Sequence, residues 1–218
     1  MNTENKHFSD NDRIFYSDGF KLAQSAIEVE LSNETLFSAI NLLYQEIDKL
    51  NESIVALAGK QNMKVACAKG CEWCCHQAVY ANSYELHYLS DHILNQFTPE
   101  EIKGLTERAY AKEEKTAVLN ENEIQKFKSP CPLLKNGACS AYQARPMACR
   151  IYLSTKLETC TEFYTHPENE SNYPALLDFP LRAGRMMNEG FSAALKGAGV
   201  ETAEFRMEEG LSIIFKAH

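Results

Sequence analysis

The most regular alternation of apolar and polar residues begins after Ser32 and Asn33. There Leu36, Ile40, Leu43, Ile47, Leu50, Ile54 and Leu57 recur at steps of four and three until Gly59 closes the pattern. This spacing predicts a long helix with one narrow apolar stripe, its start capped by the Ser32-Asn33 pair. A run of about three heptads is the shortest from which a coiled coil can be argued. The Leu36–Leu57 stripe is therefore expected either to dock on another helix of the same chain or to join a second copy or another protein. Ahead of it, residues 1–31 read as polar and irregular, with Asp18-Gly19 as a turn signal, and predict a loosely held arm.

Further along, Gln77 to Ala81 predicts a short strand. Asn82, with Glu85 three residues on, has the form of a capping box and opens a helix of about 14 residues carrying Tyr84, Leu86, Tyr88, Leu89, Ile93 and Leu94. Thr98-Pro99-Glu100-Glu101 starts another, with a cap, a proline in the first turn and acids at the positive end of the dipole. It is expected to run to about Leu119 and to be mostly solvated. Residues 129–160 contain Pro130, Pro132, Pro146 and the turn pair Asn136-Gly137, which argue against long regular elements. A helix from Leu181 to Leu195 follows, ended by Gly197 and Gly199. Thr202 to Phe215 reads both ways: Phe205 and Met207 alternate with charges as in a strand, while Leu211, Ile214 and Phe215 share a helix face.

No βα repeat is visible, so a doubly wound or barrel fold is not expected. The predicted class is mainly α, with helices around an irregular cysteine-rich metal-binding knot and a long heptad-patterned helix before it. Residues 1–60 form the arm and long helix, and 61–218 the cysteine-cluster domain, with 67–160 as its core motif.

Charge and composition narrow the partners. The 218 residues are 44% hydrophobic, enough for a core without disulfides, and 30 acidic against 22 basic side chains leave a net charge of −8. With no clustered excess of Lys and Arg, nucleic acid is not an expected partner. The first ten residues lack the apolar stretch of an export signal, and no run approaches the ~20 apolar residues that span a bilayer. The expected setting is cytoplasmic and reducing, where thiols bind metal rather than pair.

There are eight cysteines, in two clusters. The first holds Cys67, Cys71, Cys74 and Cys75, the second Cys131, Cys139, Cys149 and, further on, Cys160. Thiolate is a soft anionic ligand, and four of them satisfy zinc or an iron–sulfur unit. Were residues 67–75 one helix, the first four thiols would lie within about 100° on one face; Gly70 argues for a turn instead. Either way Cys74 and Cys75 point in different directions. They are expected to serve neighbouring metals, with ligands from the two clusters interleaved. His76 adjoins the cluster as a weaker candidate, whereas His87, His92 and His166 read as surface or packing residues. Cys67-x3-Cys71-x2-Cys74 also matches the short signature of radical S-adenosylmethionine enzymes, but those set it in a βα barrel that this chain does not predict.

Taken with Cys131-Pro132-Leu133-Leu134, Gly137-x-Cys139-Ser140-x-Tyr142 and Arg145-Pro146-x-x-Cys149-Arg150, the spacing resembles the CxxCxxCC family of zinc- or iron-chelating domains. The resemblance covers about residues 67–160 and implies metal chelation by all eight cysteines in a bacterial cytoplasmic protein. A similar cluster occurs in flagellin lysine methylases, so the resemblance also implies, as an alternative, an iron–sulfur enzyme or redox protein acting on a protein substrate. No glycine-rich nucleotide loop after a strand supports a methyltransferase. Pro132 and Pro146 fix φ beside candidate ligands. Arg145 and Arg150 read as counter-charges for thiolates or as partners of carboxylates, and Tyr142 as packing. A third reading is an interaction protein in which the heptad helix recruits a partner.

Overall fold

The computed structural model describes residues 9–68, 70–169 and 171–216. The largest departure from expectation lies at the start. Residues 10–29 are not a loose arm but a helix, α1 (Asp10–Val29); residues 1–8 lie outside the described residues. Ser9 caps it reciprocally: Ser9 Oγ accepts from Asp12 N–H at 3.2 Å, and Asp12 Oδ2 accepts from Ser9 N–H at 2.9 Å. Gly19 is not a turn but a crossing point. A Cβ there would lie 1.9 Å from the Met187 carbonyl oxygen, and one at Gly190 would lie 2.0 Å from that of Tyr16. The buried stripe of α1 is thus Gly19, Ala23 and Ala26, small residues that let two backbones touch but give no bulky periodic signal.

The long helix appears as expected, as α2 (Asn33–Lys60), with Ser32 as its cap. Ile40, Leu43 and Ile47 are fully buried in a core shared with Ala23, Ala183, Met187 and Phe191. Burial of each of the three contributes roughly 1.5–3 kcal/mol. The centre of the stripe is therefore covered by its own chain, and Leu57 at its end is 55% exposed.

A 3-10 turn, Trp73–His76, leads into β1 (Tyr80–Asn82), slightly later than the predicted strand, and then α3 (Ser83–Gln96). Next, α4 (Pro99–Thr116) stops short of Leu119, and a short helix that the sequence did not announce, α5 (Glu121–Lys126), follows. Four residues of α4, Leu105, Ala109, Lys112 and Thr116, are buried, so its inner face is more enclosed than its composition predicts. The Asn136-Gly137 turn joins β2 (Leu134–Lys135) to β3 (Ala138–Cys139); φ of 53° and 74° suits this residue pair in a tight hairpin. A second 3-10 turn, Tyr142–Ala144, precedes α6 (Met147–Arg150) and α7 (Leu157–Thr165).

The predicted C-terminal helix is α8 (Asp178–Gly197), which packs on α1 and α2. Both readings of the last stretch hold in succession. Residues Glu204–Arg206 form β4, antiparallel to β1, and α9 (Met207–Lys216) packs on α3 and α4. A second core gathers Leu86, Leu89 and Ile93 of α3, Leu105 and Ala109 of α4 and Leu211 of α9. The architecture is mainly helical, and among the described residues no helix is long and apolar enough to cross a membrane.

Candidate metal centre

The cysteine segments lie between the two helical cores, joined by short backbone pairings. Ser129 N–H donates to the His76 carbonyl at 3.0 Å, and Cys131 N–H to the Cys75 carbonyl at 2.7 Å. On the other side Ala66 N–H donates to the Ser154 carbonyl at 2.8 Å. Ser154 N–H in turn donates to Cys67 Sγ at 3.1 Å. Gly70, at φ 92°, turns the chain between Cys67 and Cys71, so residues 67–75 are not one helix. Cys74 and Cys75 ride on the 3-10 turn, Cys139 ends the hairpin, Cys149 sits in α6 and Cys160 in α7.

Seven of the thiols, those of Cys67, Cys71, Cys74, Cys75, Cys131, Cys139 and Cys149, line one cavity of about 1660 Å³. Cys160 is buried on α7, near enough for its charge to bear on Cys67. Trp73 and His76 both pack on Tyr164 of α7, with ring centroids 5.2 and 5.0 Å apart, which anchors that helix to the first cluster.

Mutual electrostatics divide the eight. Burial, and then the charges of Cys71 and Cys160, push Cys67 up. Burial pushes Cys131 up to about 12, with Cys139 and Cys75 adding to it. Burial likewise pushes Cys149 well up, and Cys131, Cys139 and Cys75 add to it. Cys74 stands between the groups: its hydrogen bond to Cys75 holds its proton in place, and Cys149 and Cys67 both raise it further. The same hydrogen bond lowers Cys75 to about 7, making it the more acidic thiol of the pair. One group is thus Cys67, Cys71 and Cys160, the other is Cys75, Cys131, Cys139 and Cys149, and Cys74 bears on both.

As a donor set, clustered thiols fit zinc or iron. They surround the cavity rather than a single point: among the described residues no three His, Cys, Asp or Glu side chains converge as a ready-made ion cage.

Arg145 and Arg150 also line the cavity, and both pair with the Asp48 carboxylate, Arg145 at 3.7 Å. Arg150, 3% exposed, donates through Nε to the Arg145 carbonyl at 2.8 Å and through its other nitrogens to Asp48 and the Gln143 carbonyl. Its charge, with that of Arg145, also bears on Cys139. Tyr142 is not packed: it is 59% exposed, with the Arg145 guanidinium 3.7 Å from its ring centre. His76 turns its ring to Tyr164 and its Nδ1 to the Glu72 carbonyl at 3.1 Å. His166 is a surface residue, 3.1 Å from Glu162.

Two supporting residues escaped the sequence reading. Buried Glu85 was visible only as a cap, and Lys112 was hidden in a helix read as solvated.

No curated protein and no solved structure matches the chain. A family model described as "CxxCxxCC: Putative zinc- or iron-chelating domain" matches residues 66–170. All eight cysteines fall inside that span. Residues 66–170, a little under half of the chain, are thus similar to the CxxCxxCC family, described as zinc- or iron-chelating.

Proposed function

We propose that the protein chelates zinc or iron in two adjoining four-sulfur sites, one formed by Cys67, Cys71, Cys74 and Cys160 and the other by Cys75, Cys131, Cys139 and Cys149. The observation that carries this reading is the gathering of seven thiols around one cavity with Cys160 behind them. Cysteines that merely pack in a core have no reason to gather so. Burial makes their thiolates costly, and a divalent ion offsets that cost by replacing protons with a shared positive charge.

The division between sites falls between adjacent residues. Cys74 bears on Cys75, Cys149 and Cys67 alike and so reaches both sets, whereas Cys75 bears on Cys131, Cys139 and Cys149. Each site then takes ligands from both cysteine clusters, and the ions fasten residues 67–76 to residues 129–160. The role is structural; the sulfur set itself names no reaction.

Elemental analysis of anaerobically purified protein, with its visible spectrum, tests the reading. For zinc, two ions per chain in a colourless protein are expected; an iron–sulfur form would be brown and carry several irons per site together with sulfide. Cys74→Ser and Cys75→Ser are expected to lose different ions. If both lose the same ion and retain the other, the two-site division is wrong; if the wild-type chain holds no metal, chelation itself is wrong.

A further inference from the structure

Lys112 lies on the most highly charged helix of the chain, yet it is only 6% exposed. Its Nζ donates to the Ser129 carbonyl at 3.0 Å. Ser129 is the residue whose N–H bonds to His76, and two positions on, Cys131 N–H bonds to Cys75. The ammonium thus sits at the end of the backbone pairing that holds the two cysteine segments together.

Its acidic neighbour is Glu208 of α9, whose Oε2 is 3.9 Å away, beyond hydrogen-bond distance. That carboxylate is shared, since its Oε1 is 3.3 Å from Arg206 Nε and accepts from Thr116 Oγ1 at 3.1 Å. An ammonium taken out of water with one hydrogen bond and a shared, distant carboxylate is costly unless further negative charge faces it. The second sulfur set can supply such charge, since the field of Lys112 bears on Cys75 and Cys131 and favours their thiolates.

We propose that Lys112 is a positioning residue and buried counter-charge for the sulfur site of Cys75, Cys131, Cys139 and Cys149. The inference rests on the chelation reading above and adds a residue that belongs to none of the cysteine motifs in the sequence. Its hydrogen bond keeps Cys131 in register with Cys75, and its charge offsets the excess negative charge of four thiolates on a divalent ion.

The test uses the full chain, with Co²⁺ as the probe ion under anaerobic conditions. Wild type and Lys112→Met, Lys112→Gln and Lys112→Arg are titrated against a competing chelator while the thiolate-to-cobalt absorption is recorded. Glutamine keeps a donor for Ser129 without the charge, and arginine keeps the charge. Expected in the Gln and Met variants is a roughly 10–100-fold weaker hold on one of the two ions, with a shift of its absorption to longer wavelength. Without the cation, electrons on sulfur are less tightly held. The arginine variant is expected to restore the band position. Circular dichroism on the same samples separates loss of fold from loss of charge, and if Lys112→Met unfolds, the glutamine variant decides. Wild-type affinity and an unshifted band in Lys112→Gln would overturn the counter-charge. Equal weakening of both ions in all three variants would overturn the assignment to one site. Wild type that binds no Co²⁺ through sulfur would sink the chelation reading, and this inference with it.

Discussion

The Glu85 carboxylate accepts the Met147 N–H at 2.7 Å, a bond between residues 62 positions apart that fixes the first residue of the short helix bearing Cys149. Glu85 also accepts from Tyr44 Oη at 3.0 Å, from Asn82 N–H at 3.0 Å and from Asn188 Nδ2 at 3.2 Å. One buried side chain therefore ties α2, β1, α6 and α8 together beside the sulfur cavity. Replacing it by alanine strands several buried donors, each costing about 1–3 kcal/mol. We predict that Glu85→Ala lowers the urea midpoint by the equivalent of about 3 kcal/mol or more. Glu85→Gln, which retains one acceptor oxygen, is predicted to cost less. Equal midpoints for wild type and Glu85→Ala would refute the hub.

The glycine crossing of α1 and α8 gives a second prediction with an internal control. Gly19→Ala places a methyl group 1.9 Å from the Met187 carbonyl oxygen, so the helices must part. A loss of about 1–3 kcal/mol is expected, as for other overpacked interiors. Gly59, near the end of α2, has nothing within 4 Å of its added Cβ. Gly59→Ala is expected to be neutral or to stabilise by up to about 1 kcal/mol through helix propensity. Thermal melts of the two variants should move in opposite directions or differ plainly in size.

Metal removal should make stability depend on alkaline pH. In the metal-free chain burial holds Cys131 at about 12, above the ordinary thiol value of 9.0, and raises Cys149 as well. Between these values the folded thiols keep protons that the unfolded chain releases. The unfolded state then binds fewer protons, and stability falls as pH rises from about 9 towards 12. Below about 9 both states are protonated at these thiols and the effect is absent. Cys75, lowered to about 7, works in the opposite sense: its contribution is present above 9 and is lost as pH falls through 7. We expect chelator-treated protein to show a declining denaturant midpoint over the alkaline window, because above about 9 Cys75 no longer adds a slope and the raised thiols alone set it, and metal-loaded protein to show a flatter profile. A metal-free midpoint that holds steady from pH 8.5 to 10.5 would contradict the burial of these thiols.

What the sequence disclosed follows the kind of signal each element carries. The stripe of α2 is made of Leu and Ile, whose period is plain, and Asn136-Gly137 names its own turn. The cysteines are conspicuous by type and spacing alone. The stripe of α1 is made of Gly and Ala, which look like turn or filler residues until α8 lies against them. Lys112 looked solvated because its helix is highly charged, and its inward turn shows only once the Ser129 carbonyl and Glu208 lie against it. Tyr142 failed for the opposite reason, since an aromatic residue in a motif reads as packing whereas here it stacks on Arg145 at the surface.

The close crossing of α1 and α8, with Gly19 against Met187 and Gly190 against Tyr16, has a consequence for the order of events during synthesis. As the chain leaves a ribosome, α1 emerges early but lacks its partner until α8 (Asp178–Gly197) has been made. By then every cysteine, the last of them Cys160, has already been translated. Long-range closure of this kind is slow compared with local turns. Ions present during translation would therefore encounter mobile thiols before the first and eighth helices clasp, and loading would be a step of biogenesis rather than the filling of a finished container.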